Sequence, residues 1–151
     1  MTPGAWVLVV AVAAAIGLGS WRLATDGRFR GTHRVRGAAD VTPAPDPSTS
    51  VLAGTPWEGD LGERATLLQF SSAFCAPCRA TRRILADVAA SHPGVAHVEV
   101  DAEHHLDVVR RLGILRTPTT LVLDPAGHEV VRAAGAPSKE QVVSSLSRFL
   151  V

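Results

Sequence analysis

The sequence predicts an α/β domain, a mixed sheet with helices on both faces, preceded by a single N-terminal transmembrane helix. Three observations carry this. Residues from Pro3 to Trp21 bear no charge. A proline-rich stretch from Gly37 to about Ser50, with Pro43, Pro45 and Pro47, separates that run from the remainder. Beyond it, apolar periodicity alternates between strand and helix in the order β-α-β-α-β-β-α, which builds parallel pairs joined by helices and then an antiparallel hairpin. The expected organisation is an anchor over residues 1–23, a basic stem and linker over 24–50, and one folded domain over 51–151.

Within the anchor, Trp6 to Leu18 is almost wholly apolar. Nineteen uncharged residues rise roughly 28 Å as a helix, enough to cross a bilayer core. Trp6 and Trp21 lie near its ends, where interfacial tryptophans are favoured. A cleaved signal peptide is the rival reading; it usually has a basic first region, and no side chain before Trp6 is basic. Arg22, Arg28, Arg30, Arg34 and Arg36 follow the run against a lone Asp26. The positive-inside rule keeps such a flank in the cytoplasm, so the expected topology is N-terminus out and domain cytoplasmic. An exported domain is the alternative. The same arginines suit anionic lipid head groups. Overall charge is +1, which gives no case for a nucleic-acid partner.

The linker, with prolines at alternating positions and small polar neighbours, reads as a semi-extended tether. In the domain, a short extended piece is expected at Val51-Leu52. Ala65–Ser71 reads as a buried strand and Cys75–Ser91 as a helix closed by His92-Pro93-Gly94. Val95–Val100 alternates like a strand. Leu106, Val109 and Leu112 place a helix over Glu103–Leu112, ended by Gly113. Thr119–Leu123 is a strand, Asp124-Pro125-Ala126-Gly127 a turn, and Glu129–Ala133 the returning strand. Ser138 caps a last helix to Leu150, with Gln141 completing a capping box.

Chemistry concentrates where the first strand hands over to the first helix. The chain's two cysteines, Cys75 and Cys78, stand there in Cys-x-x-Cys spacing. Free N–H groups and the positive end of a helix stabilise a thiolate on the first cysteine. Two cysteines are too few for a disulfide scaffold, and one pair supplies only half of a zinc site. Two buried apolar cysteines are the plain alternative to a thiol–disulfide exchange site. No metal site is expected elsewhere: His104 and His105 are adjacent on a helix start and diverge in direction.

Four segments in order resemble the thioredoxin family, over roughly Thr66 to Leu150. Phe74-Cys75-Ala76-Pro77-Cys78-Arg79 looks like its aromatic-Cys-Gly-Pro-Cys-basic site. Val98-Glu99-Val100-Asp101 looks like its strand ending in aspartate. Leu112-Gly113-Ile114-Leu115-Arg116-Thr117-Pro118-Thr119 resembles the segment carrying its cis-proline, and Gly135-Ala136-Pro137-Ser138-Lys139 the glycine before its last helix. The resemblance implies the thioredoxin fold. It makes Cys75 the exposed nucleophile and Cys78 the buried resolving thiol, with Phe74, Ala76 and Pro77 as support. It also implies a cis peptide between Thr117 and Pro118 in a loop facing the cysteines. Pro77 suits the first turn of a helix, where its missing N–H is no loss.

The chain departs from the family in three places. Gln69 stands where the family usually has a buried aspartate that relays a proton to the resolving cysteine, and glutamine cannot take one up at neutral pH. His97 stands where the paired lysine often is. It is either the proton acceptor for Cys78 or a histidine merely hydrogen-bonded beside Gln69. Ser71 and Phe74 replace two tryptophans.

The expected function is a membrane-tethered protein-disulfide reductase acting on disulfide-containing proteins. It needs no cofactor beyond the redox-active Cys75–Cys78 pair. Electrons would come from a thioredoxin-reductase-type flavoenzyme, or from a membrane thiol donor if the domain is exported, as in reductases of cytochrome maturation. A thiol oxidase fits less well: only about forty residues separate Cys78 from Pro118, without room for the helical insertion that such enzymes usually carry. A non-catalytic interaction domain on the same fold is the alternative outside enzymology.

Overall fold

The computed structural model describes residues 3–25, 27–31 and 49–150. The proline-rich tether as far as Ser48, Arg34, Arg36 and Asp26 lie outside the described residues. Helix α1 (Pro3–Thr25) covers the whole apolar run. Its window Gly4–Arg22 is long and apolar enough to cross a membrane and buries nothing against the rest of the chain. Trp6, Val7, Leu8, Ile16 and Trp21 are all more than half exposed. Such a surface is costly in water and suited to lipid.

The domain is a five-stranded sheet in the order β1-β5-β4-β2-β3. Its strands are β1 (Phe29–Gly31), β2 (Ala65–Ser71), β3 (Val95–Asp101), β4 (Thr119–Leu123) and β5 (Glu129–Ala134). β2 and β3 run parallel, with Ala65 opposite Val95 and Phe70 opposite Val100. β4 lies antiparallel to β2, β5 antiparallel to β4, and β1 antiparallel to β5. Every residue of β2 is buried, as a central strand between two neighbours requires.

Alternate residues of β2 supply two cores. Leu68 and Phe70 join Val98, Val100, Val108, Leu112, Leu121 and Leu123 on one face, covered by α3 (Leu106–Arg111) and by Val51 and Leu52. Ala65 and Leu67 join Leu85, Val88, Val122, Val142 and Leu146 on the other, under α2 (Ala76–Ser91) and α4 (Lys139–Leu146).

Several boundaries differ from the sequence expectation. Phe29–Gly31, expected in a free stem, forms the edge strand β1 against Val131–Ala133. Val51-Leu52 is not extended: it begins a run of turns, Ala53 N–H donating to Ser50 O and Thr55 N–H to Leu52 O, while both side chains stay buried. The third helix begins at Leu106 rather than Glu103, because Asp101 Oδ1 accepts the Glu103 N–H and Oδ2 bonds His104 Nδ1, holding a turn there. The last helix stops at Leu146, beyond which Ser147 and Phe149 make i→i−3 turns. Its capping box between Ser138 and Gln141 is present.

Candidate functional site

At the top of β2 the chain turns through Ser72 to Phe74 and enters α2. Cys75 is the N-cap, not the first helical residue: its backbone is extended, at φ −93° and ψ 97°. Its Sγ accepts the Cys78 N–H at 3.1 Å. A cap normally supplied by an oxygen is thus supplied by sulfur, and the same N–H also bonds the Cys75 carbonyl at 3.1 Å. Ala76 and Pro77 occupy the first turn, where proline withdraws no helical hydrogen bond.

Cys75 and Cys78 form a disulfide, with Cα atoms 5.2 Å apart. The two ends of that bond differ in access. Cys78 is 2 % exposed and Cys75 half-buried, while Phe74 beside them is 98 % exposed. A partner sulfur therefore meets more open surface at Cys75 than at Cys78.

The loop ahead of β4 completes the rim. The Thr117–Pro118 peptide is cis. Phe70 pairs with Thr119, so this loop stands next to the end of β2. Thr117 Oγ1 lies 3.2 Å from Ser72 Oγ, tying the two loops together. Thr117 is half-buried, Pro118 is buried and Leu115 is strongly exposed.

Beneath the disulfide, Gln69 is fully buried. Its Nε2 donates to the Cys78 carbonyl at 3.0 Å, and its Oε1 lies 3.2 Å from His97 Nε2. Since that amide oxygen can only accept, His97 Nε2 carries the proton and Nδ1 is the titrating nitrogen. Burial pushes His97 below its ordinary value; Arg82 acts the same way and Glu99 opposes. Gln69 and His97 are thus brought together, but Gln69 meets the main chain of Cys78.

One group escaped the sequence reading. Glu99 accepts from Ser71 Oγ at 2.6 Å and from Arg82 Nη1 at 3.2 Å. These side chains, with Ser72, Arg79 and Asp101, line a cavity of about 320 Å³ that reaches Cys78. The parallel register, which sets Glu99 opposite Gln69, brings it to the site. Among the described residues, no group of three or more His, Cys, Asp or Glu side chains is placed to hold a metal ion.

The comparisons agree with this geometry. The family model described as Thioredoxin matches residues 48–148. Thioredoxin of Alicyclobacillus acidocaldarius subsp. acidocaldarius is 29 % identical over 90 residues, which cover 59 % of this chain and 85 % of that protein. Human thioredoxin domain-containing protein 2 is 37 % identical over 60 residues, 40 % of this chain but only 11 % of that longer protein. Among solved structures, Fasciola hepatica thioredoxin superposes with a TM-score of 0.53 at 21 % identity, covering 60 % of this chain and 86 % of its own. That likeness shows the fold. Proteins of this family are disulfide oxidoreductases, and the Cys75–Cys78 pair fits a redox-active site of that kind. With the family model covering 48–148, the capped cysteine pair and the sheet order in agreement, the chain belongs to the thioredoxin family.

Proposed function

We propose that this chain is a membrane-tethered protein-disulfide reductase. The observation that carries the reading is the asymmetry of the pair: Cys75 caps α2 at the accessible end, and Cys78 is closed off behind it. In the reduced protein the Cys75 thiolate attacks one sulfur of a partner disulfide. That bond breaks, and the departing thiolate takes a proton. Cys78 then loses its proton and attacks the Cys75 sulfur, expelling the second partner thiol. Two electrons pass to the partner, and the Cys75–Cys78 disulfide remains.

Phe74, Ala76 and Pro77 shape the approach to Cys75, and Thr117 with Pro118 forms the facing wall. No metal or organic cofactor takes part. The recharging electrons come from a thioredoxin-reductase-type flavoenzyme, because the arginines after α1 favour a cytoplasmic domain. A membrane thiol donor serves if the domain is exported. Helix α1 supplies the lipid contact.

The test uses the full chain, reduced chemically, with insulin as the disulfide substrate. Cys75→Ser abolishes reduction, and Cys78→Ser accumulates a mixed disulfide on Cys75 that dithiothreitol releases. Retention of insulin reduction by Cys75→Ser would sink the reading. Labelling Cys75 in intact cells with permeant and impermeant maleimides then fixes the side: labelling by both places the domain outside the cytoplasm.

A further inference from the structure

The anchor enters the sheet at the same end as the redox site. β1 is antiparallel to β5, β5 to β4 and β4 to β2. The start of β1 is therefore level with the end of β2, the start of β4 and the end of β5. The registers agree to within one residue: Phe29 is opposite Ala133, and Thr119 is opposite both Ala134 and Phe70. Had β1 run the other way against the same residues of β5, α1 would enter roughly 7–10 Å farther from the redox site, the reach of a three-residue strand.

The junction is short and seated. From Thr25, the last residue of α1, to Phe29 is four residue steps, at most about 14 Å. Within it, Gly27 N–H donates to Ala134 O at 3.1 Å. Gly27 has φ +70°, and a Cβ there would meet Ala136 O at 2.1 Å and Pro137 N at 2.8 Å. The loop that receives it is continuous with the site, since Gly135 N–H donates to Pro118 O at 2.8 Å. A chain leaving the bilayer is thus fastened to the cis-proline side of the active-site rim. That rim exposes Phe74 and Leu115, with exposed Arg28, Arg79 and Arg116 around it. Such a mixture of apolar and cationic groups suits the head-group layer of a membrane with anionic lipid.

We propose that the active-site pole faces the bilayer, so that the chain reduces disulfides held at head-group level on integral membrane proteins in preference to those of freely diffusing proteins. This rests on the reductase and anchor readings above. The reaction is the one already written: two electrons and two protons pass from the Cys75–Cys78 dithiol to the partner's disulfide. Tethering both reactants in one surface, with their sulfurs at one height, raises effective concentration only where the heights match.

The full chain is placed in phosphatidylcholine–phosphatidylglycerol proteoliposomes with three disulfide peptides. One is soluble, one is joined directly to a transmembrane helix, and one is raised on a rigid helical spacer of about 40 Å. We expect the surface peptide to be reduced about tenfold or more faster than the raised one. Inserting a Gly-Ser linker of about 20 residues, reaching roughly 25 Å, between Thr25 and Gly27 should erase that preference. The rate on the soluble peptide should stay unchanged. Equal rates on the surface and raised peptides overturn the proposal while leaving the reductase intact. A preference that survives the linker upholds the orientation and assigns it to the rim's own contact with lipid rather than to the junction at Gly27. If no peptide is reduced, the reductase reading fails and takes the proposal with it; failure to float with the liposomes does the same through the anchor reading.

Discussion

Gln69 holds the main-chain carbonyl of Cys78 through its side-chain amide at 3.0 Å. Its other end lies 3.2 Å from His97, so one neutral side chain joins the backbone of Cys78 to the titratable group on β3. Both bonds are made at a position with no exposed surface, where an unmet partner has no water to turn to. Gln69→Ala should therefore destabilise the oxidised protein by about 2–3 kcal/mol, more than a surface hydrogen bond returns. Urea unfolding measures it. A loss below about 0.5 kcal/mol would mean that Gln69 is not what holds Cys78 in place.

His97 gives stability a pH dependence whose sign is determined. Burial pushes its value down, Arg82 pushes the same way, and Glu99 opposes. Between the lowered folded value and the unfolded value near 6.5, the unfolded chain binds more protons than the folded one. Stability is then full above about pH 6.5 and falls as pH drops through the folded value. His97→Gln should flatten the thermal midpoint between pH 7 and 5 relative to the parent. An unchanged slope assigns the dependence to other groups. The kinetic counterpart uses His97→Ala: if His97 accepts the Cys78 proton, the pH profile of mixed-disulfide resolution shifts; if it is only hydrogen-bonded to Gln69, the profile stays put.

The capping sulfur of Cys75 makes a separate claim about α2. Serine at this position also caps, whereas alanine does not. In a Cys78→Ala background, where no disulfide can form, Cys75→Ser should be close to neutral. Cys75→Ala should lose about 1 kcal/mol of stability. Equal stabilities for the two would show that the 3.1 Å contact from the Cys78 N–H carries no weight in the reduced fold.

The elements that were legible in the sequence are those whose pattern is long and whose ends carry a chemical signal. The helix from Ala76 to Ser91 has apolar spacing and a proline in its first turn; α4 has a capping box; the turn before β5 has Asp124 and Gly127, whose N–H donates to Asp124 O at 2.9 Å. The cysteine pair was legible because the apolar run Ala65–Phe70 before it and the helical spacing of Ile84, Leu85, Val88 and Ala89 after it place it at a helix mouth. Phe29–Gly31 was not. A three-residue strand has no period to read, its middle residue is an arginine, and its partner Val131–Ala133 lies a hundred residues away. Glu99 was likewise hidden. In sequence it is one polar residue of an alternating strand, and only the register with β2 brings it to Ser71 and the cavity beside Cys78. The side chains of Val51 and Leu52 suggest an extended piece, but the backbone around them folds into turns that bury both in the core, with Trp57 packed against it.

Gly27 offers the most local test of how the anchor joins the domain. Its φ of +70° already disfavours any side chain, and a Cβ would strike Ala136 O and Pro137 N, backbone atoms that cannot swing aside. Gly54 separates the two effects: it has φ +69° with nothing within 4 Å of its ideal Cβ. Gly54→Ala should show the backbone penalty alone, about 1 kcal/mol, with β1 undisturbed. Gly27→Ala adds the collision, so residue 27 must move out and its N–H must leave Ala134 O. Phe29–Gly31, fastened by three residue pairs at the sheet edge, should then open locally. Amide exchange in β1 should rise about tenfold or more, while exchange in β2 and β4 changes little. Insulin reduction should continue, because Gly27 is outside the cysteine site. If exchange in β1 responds to both substitutions equally, the seat against Ala136 is not what holds the edge strand, and the anchor is free to swing relative to the active-site rim.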